Sequence, residues 1–281
     1  MTKIFLHSWN YRDESFESAV ARAAEFGYDG IEVYGGHFPD SGNPVAGLEH
    51  VHSLGERGGV PVAVAPLGLD VLTRSPDERV ARLDAAVRVI EAAGRLGIPR
   101  LNAMIGWLPP KPGDETADGS AVATEEHVAA AIELAGTLAE TAAGAGVEIT
   151  LETHMRTIHD TAAATLRILD GVGSPHLRAN FDAGNMFSTT HAEDADEALD
   201  VLKERITYVH LKNCRELAGG FDYHWPLAGG DLDYRRIVGA IVETGFDGPY
   251  CIEYSGGGDR DHVSRADLEY LRGLLADLGA S

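Results

Sequence analysis

Phe26-Gly27-Tyr28-Asp29-Gly30-Ile31 and, near the other end of the chain, Thr244-Gly245-Phe246-Asp247-Gly248-Pro249 follow one pattern. Leu96-Gly97-Ile98-Pro99 and Ala145-Gly146-Val147 abbreviate it. In each, a glycine closes a helix-like stretch and a strand-like run follows within a few residues. Glycine adopts the left-handed conformation that ends a helix without steric cost. Working outward from these junctions, eight short runs rich in apolar or β-branched residues emerge: Ile4–Leu6, Gly30–Val33, Val60–Ala65, Leu101–Ile105, Val147–Leu151, Leu177–Phe181, Thr207–Leu211 and Tyr250–Glu253. Helical patterns separate most of them. The clearest runs from Pro76 to Leu96, with Ser75 as N-cap, Pro76 at the first position and Glu78 completing a capping box. Its Val80, Leu83, Val87, Ile90 and Ala93 recur at spacings of three and four, which predicts one buried stripe. Val128, Ile132, Ala135 and Leu138 form a second stripe, and Leu268, Leu271, Leu275 and Leu278 a third. Alternation of this kind predicts an α/β fold, a single (β/α)8 TIM barrel spanning residues 1–281. A doubly wound open sheet would carry a glycine-rich phosphate loop after an early strand. Here the first strand runs into His7-Ser8-Trp9-Asn10.

Composition narrows the function. Apolar residues make up 44% of the 281 and charged residues 24%, a globular balance. Lys and Arg number 23 against 44 Asp and Glu, so the net charge of −21 repels polyanions and argues against nucleic acid. Two cysteines, Cys214 and Cys251, are too few for a secreted disulfide framework and read as small buried apolar residues. No segment reaches the ~20 apolar residues of a membrane span. Arg12 and Asp13 also interrupt any signal-like run, so the expected location is the cytoplasm, with no membrane partner.

In a barrel of this kind function gathers at the C-terminal strand ends. Those ends carry His7, Glu32, Glu152 with His154, Asp182, His210 with Lys212, and Glu253, where ordinary strands would carry aliphatic residues. Singly, Glu253 reads first as an ion-pair acid and His210 as a satisfied core histidine. Together, Glu152, Asp182, His210 and Glu253 bring three carboxylates and an imidazole to one rim. Such acids repel each other unless a cation joins them. The set suits one divalent metal ion, Mn2+ first, with Mg2+ or Co2+ next. Glu32 reads as an acceptor behind the ligands. The longest non-helical stretch, Gly106 to Ala121 with Pro109, Pro110 and Pro112, reads as an active-site lid in preference to a plain linker.

Strand alternation from Val147 to Glu152 puts His154 on the side of Glu152 if the extension continues. An imidazole titrates near neutrality and can take or return a proton beside the cation. Lys212 is placed to neutralise oxyanion charge. Glu152, His154, Lys212 and Glu253 are therefore the candidate catalytic residues. His7, Trp9, Asn185, His224 and Trp225 are the candidate substrate contacts, His224 being favoured over the loop histidines His37 and His159, which read as solvated. Aromatic packing is an equal reading for Trp9, Tyr34, Trp107 and Trp225.

Leu151-Glu152-Thr153-His154, Asn180 to Asn185, Val209-His210-Leu211-Lys212-Asn213, Gly229 to Tyr234 and Ile252-Glu253-Tyr254 together resemble the xylose-isomerase-like TIM barrels. That superfamily includes sugar (phosphate) isomerases and epimerases, inosose dehydratases and 3-dehydroshikimate dehydratases. The resemblance implies that Glu152, Asp182, His210 and Glu253 match the metal ligands. Two departures stand out. Asn185 occupies the place of a usual histidine three residues after the metal-binding aspartate, and Asn102 stands near where the dehydratases present an arginine. Glu152-Thr153-His154 and His210-Leu211-Lys212-Asn213 look more like the dehydratase and lyase branch. Endonuclease IV shares the barrel, but this chain lacks its basic face. The expected activity is proton abstraction next to a carbonyl of a small polyhydroxylated substrate, leading to β-elimination. Ketose isomerisation or epimerisation is the close rival, and a non-catalytic sugar- or partner-binding barrel the third reading. A homo-oligomer is expected, with a hetero-oligomer containing a small partner subunit as the alternative.

Overall fold

Each glycine junction quoted above sits at a helix end. Gly27, Gly97 and Gly146 cap their helices with φ of 84°, 72° and 68°. The computed structural model describes residues 2–280 apart from 40, 41, 71, 73, 111, 112, 114–116 and 190.

In chain order the elements are β1 (Ile4–His7), α1 (Phe16–Phe26), β2 (Gly30–Glu32), α2 (Pro44–Gly58), β3 (Val62–Leu69), α3 (Pro76–Leu96), β4 (Arg100–Ile105), α4 (Glu125–Ala145) and β5 (Glu148–Glu152). There follow α5 (Ala162–Val172), β6 (Leu177–Asp182), the short α6 (Ala183–Phe187), α7 (Ala195–Leu202), β7 (Ile206–Leu211), a hairpin of β8 (Asn213–Leu217) and β9 (Gly220–Trp225), α8 (Tyr234–Glu243), β10 (Tyr250–Ile252) and α9 (Arg260–Asp277). Eight strands close a parallel barrel in the order β1-β10-β7-β6-β5-β4-β3-β2, which excludes the open sheet. All eight strands read from the sequence are present, with ends shifted by up to four residues. Among the described residues no helix is long and apolar enough to cross a membrane.

The register sets the rim. Asp182 lies opposite His210, His210 opposite Cys251, and Glu152 opposite Asn180. Cys214 and Cys251 are buried and free, as expected.

Helix α3 begins where the sequence places it, and the Ser75–Glu78 capping box is formed. Its buried stripe is shorter than predicted. Ile90 and Ala93 are fully buried, Leu83 and Val87 only partly, and Val80 is 61% exposed. A cavity lined by Ala81, Ala85 and Ala86 on one side and by Leu67 and Leu69 of β3 on the other separates this half of the helix from the barrel wall. Leu278, read as part of the last stripe, is 37% exposed because it caps α9 beyond its final turn.

The stretch read as a lid is tied down at both ends. Trp107 pairs with Thr157, the Leu108 N–H donates to the Arg156 carbonyl, and the Ser120 N–H donates to Asp160. Its ends therefore lie on the loop after β5, while residues 111, 112 and 114–116 fall outside the described residues.

Candidate metal centre

Strands β5, β6 and β7 deliver Glu152, Asp182 and His210, and Glu253 follows β10 directly. One ligand atom from each lies within 4.8 Å of all the others. The Nδ1 of His210 is 3.7 Å from Glu152 Oε1, 3.9 Å from Asp182 Oδ2 and 3.6 Å from Glu253 Oε2. It is buried and has no hydrogen-bond partner among the described residues. The other ring nitrogen, Nε2, lies 2.7 Å from Glu32 Oε2. An ionised carboxylate only accepts, so Nε2 carries the hydrogen and the Nδ1 lone pair faces three carboxylate oxygens. A lone pair aimed at three anions is favourable only with a positive charge between them. The donor set and its geometry therefore fit one divalent cation.

The electrostatics agree. Burial pushes the Glu32 carboxyl up, but His210 and His7 outweigh it and hold the group ionised well below its ordinary range. Burial likewise works against Glu253, yet Lys212 and His210 hold it ionised. Asp182 goes the other way: burial, with Glu152 and Glu253 close by, raises it despite Lys212. Three acids thus share too few counter-charges. Burial pushes His210 down, but Glu32 and Glu152 lift it well above the usual imidazole range, so a proton would compete with a metal ion for the same nitrogen.

Amide donors lock the candidate ligands in place. Asn102 Nδ2 donates to Glu152 Oε2 at 2.7 Å and to Glu32 Oε1 at 3.0 Å, while its Oδ1 accepts from Asn180 at 3.1 Å. Tyr208 donates its hydroxyl to Glu32. Asn185, read from the sequence as a substrate contact, is fully buried and donates to Glu152 Oε1 at 2.9 Å and Asp182 Oδ2 at 2.8 Å. It therefore positions two of the candidate ligands. The Asn185→Ala variant should lower Mn2+ affinity by about 10–100-fold, the range for an outer partner of a metal ligand; titration followed by free-Mn2+ electron paramagnetic resonance measures it.

Lys212 is buried, with Nζ 3.3 Å from both Asp182 Oδ2 and Glu253 Oε2. Burial pushes its ammonium down, but those carboxylates restore it well above the ordinary range, so it stays charged inside the cluster. His154 lies past the end of β5, half-buried, with its ring 6.0 Å from that of Trp107. Its Nδ1 is 2.9 Å from the Met155 carbonyl, which can only accept. Nδ1 therefore carries the hydrogen, and Nε2 is left as the basic nitrogen.

His7 lies beside the cluster, its Nε2 3.6 Å from Glu32 and its Nδ1 accepting from the Trp9 N–H. Trp9 donates from Nε1 to Ser255 at 3.1 Å and packs edge-on against Tyr34. His224 and Trp225, expected as substrate contacts, are engaged within their own hairpin. Both lie on β9 and turn to Asp222, the first through Nδ1 and the second through Nε1, while Arg215 stacks on Trp225. The His224 side chain is 65% exposed. Neither ring joins the cluster among the described contacts. His159 is corrected: it is fully buried and accepts from the Ile105 N–H, and burial pushes its imidazole down to about 4. Asn180 and Tyr208 escaped sequence reading. The signal for them is a polar residue inside an otherwise apolar barrel strand.

A search of curated proteins finds no match. Among solved structures, D-allulose 3-epimerase from Methylomonas sp. shares 21% identity at a TM-score of 0.78, covering 98% of both chains. The probable 3-DHS dehydratase of petrobactin synthesis from Bacillus anthracis shares 20% at a TM-score of 0.73, covering 96% of this chain and 98% of its own. A xylose isomerase-like TIM barrel protein from Mycobacterium smegmatis, in complex with magnesium, shares 18% at 0.73, covering 100% of this chain and 98% of its own. These likenesses agree on the barrel. The model of the xylose isomerase-like TIM barrel family matches residues 20–274, and with its closed eight-stranded barrel the chain belongs to that family.

Proposed function

We propose that the chain is a divalent-metal-dependent enzyme that removes a proton next to a carbonyl of a small polyhydroxylated substrate. The observation that carries this reading is the buried, unpartnered Nδ1 of His210, aimed at three carboxylates within 3.9 Å. Glu152, Asp182, His210 and Glu253 would hold the ion, Mn2+ in preference to Mg2+ or Co2+. When bound, it supplies Lewis acidity to a neighbouring carbonyl or hydroxyl oxygen. His154 takes the proton at Nε2, since its Nδ1–H is held by the Met155 carbonyl. Lys212 keeps a positive charge between Asp182 and Glu253, so that substrate oxygens do not meet bare carboxylates. A magnesium-bound neighbour and the dehydratase and epimerase activities named for others support the class.

One free imidazole suits β-elimination, in which a single group removes the proton and delivers it to the departing hydroxyl. Epimerisation returns a proton to the opposite face and needs a second group there. We therefore place the lyase reading first. The same reading takes the cytoplasm as location and a homo-oligomer as assembly. Metal analysis should find about one divalent ion per chain, removed by a chelator together with activity. Turnover in D2O should place solvent deuterium in the product or the recovered substrate. A fully active metal-free preparation overturns the metal assignment, and absence of label in every active assay overturns the proton transfer.

A further inference from the structure

The cavity beside α3 does not stop at the helix. It has a volume of about 680 Å³, and its inner end is formed by Glu152, Glu32, Asn102 and His7. One continuous space thus joins the carboxylate cluster to the outer half of α3. Enclosures of roughly 300–1,000 Å³ take drug-sized ligands, so a single sugar ring at the cluster leaves most of this one unfilled.

The unfilled part has a definite chemistry. Met104 follows Asn102 by two positions on β4 and so shares its face, yet it is 38% exposed. Gly68 of β3 lies beside it in the lining. The opposing face of α3 presents small residues, Ala81, Ala85 and Ala86, flanked by Arg82 and Arg88. Neither arginine has an ion pair or hydrogen bond among the described residues, in a chain where most arginines are paired. A thioether, a low alanine floor and two guanidinium groups with no described hydrogen bond suit an aromatic ring better than an alkyl chain or a second sugar. Guanidinium planes and thioethers both pack favourably on aromatic rings.

We infer that the substrate is an aryl glycoside whose sugar ring carries a carbonyl, its sugar at the carboxylate cluster and its aromatic ring in the cavity between Met104, Gly68 and the alanine face of α3. The inference rests on the proposed metal-dependent reading of the same site. It makes the cavity a specificity-determining subsite: the ring supplies binding, and the sugar is presented to the acids and to His154.

The test uses Mn2+-loaded protein, whose metal content is measured first, and titration calorimetry with phenyl β-D-glucoside and methyl β-D-glucoside, which lack the carbonyl and so report binding without turnover. The phenyl compound should bind about tenfold or more tightly than the methyl one, as burial of an aromatic ring requires. A Cβ built at Gly68 meets no described atom within 4 Å, and the backbone there is not left-handed, so Gly68→Val fills the space without strain. In that variant, confirmed folded by its melting curve, the preference for the phenyl glycoside should fall below about twofold. Equal affinities in the unaltered protein, a preference that survives Gly68→Val, or no binding of either glycoside to metal-loaded protein overturns the inference and leaves the metal reading standing. Failure to load Mn2+ in the first step overturns the metal reading, and the subsite inference falls with it.

Discussion

The Glu152→Ala variant should lose its divalent cation, with Mn2+ affinity falling by more than about 100-fold. That exceeds the 10–100-fold loss typical of outer partners, because a ligand is removed in place of its support. Activity should fall with metal content. Asn102 and Asn185 each lose an acceptor in this variant, which costs stability, but one of three crowded carboxylates also disappears, which relieves Asp182. The two effects oppose each other, so the metal-free variant should melt near the chelated unaltered protein. Added Mn2+ should then raise the melting temperature of the unaltered protein and leave the variant unmoved, since only a ligand that binds the folded state stabilises it. A Glu152→Ala protein that still holds one Mn2+ per chain would remove Glu152 from the ligand set.

His154→Ala should do the reverse: metal content unchanged, kcat lower by roughly 10²–10⁴-fold, the range for losing one general acid or base. Among the described residues the side chain makes no hydrogen bond or ion pair to the four candidate ligands; its partners are the Met155 carbonyl and the Trp107 ring. A drop smaller than tenfold would mean that the imidazole merely packs on Trp107. Metal loss equal to that of Glu152→Ala would make it a ligand. Metal analysis and steady-state kinetics on the same two preparations separate these outcomes.

The barrel was legible because glycine caps and β-branched runs are local signals, and local signals survive in a single sequence. Strand β3 shows where they weaken. Pro66 and Gly68 break its apolar run, so the reading ended at Ala65, although the strand continues to Leu69 along β4. The clustering of Glu152, Asp182, His210 and Glu253 was legible for a different reason: acids at barrel strand ends are conspicuous. Two of their supports were not, because Asn180 and Tyr208 look like ordinary strand residues until closure brings Asn180 to Asn102 and Tyr208 to Glu32. The β8–β9 hairpin was missed because Asn213-Cys214-Arg215-Glu216-Leu217 is short and mostly polar. Without it, His224 and Trp225 read as a loop reaching for substrate, whereas adjacent strand positions bring both back to Asp222.

The pairing of β1 with β10 bears on the order of events during synthesis. Glu32 emerges from the ribosome early, but the histidine it orients lies 178 positions later, and Glu253 later still. Until β10 has been made and Tyr250 can dock beside Ile4, the barrel is an open sheet with two exposed edges. A nascent chain therefore carries its acids unassembled through most of translation, and on the proposed metal reading capture of a cation would report that the ring has closed.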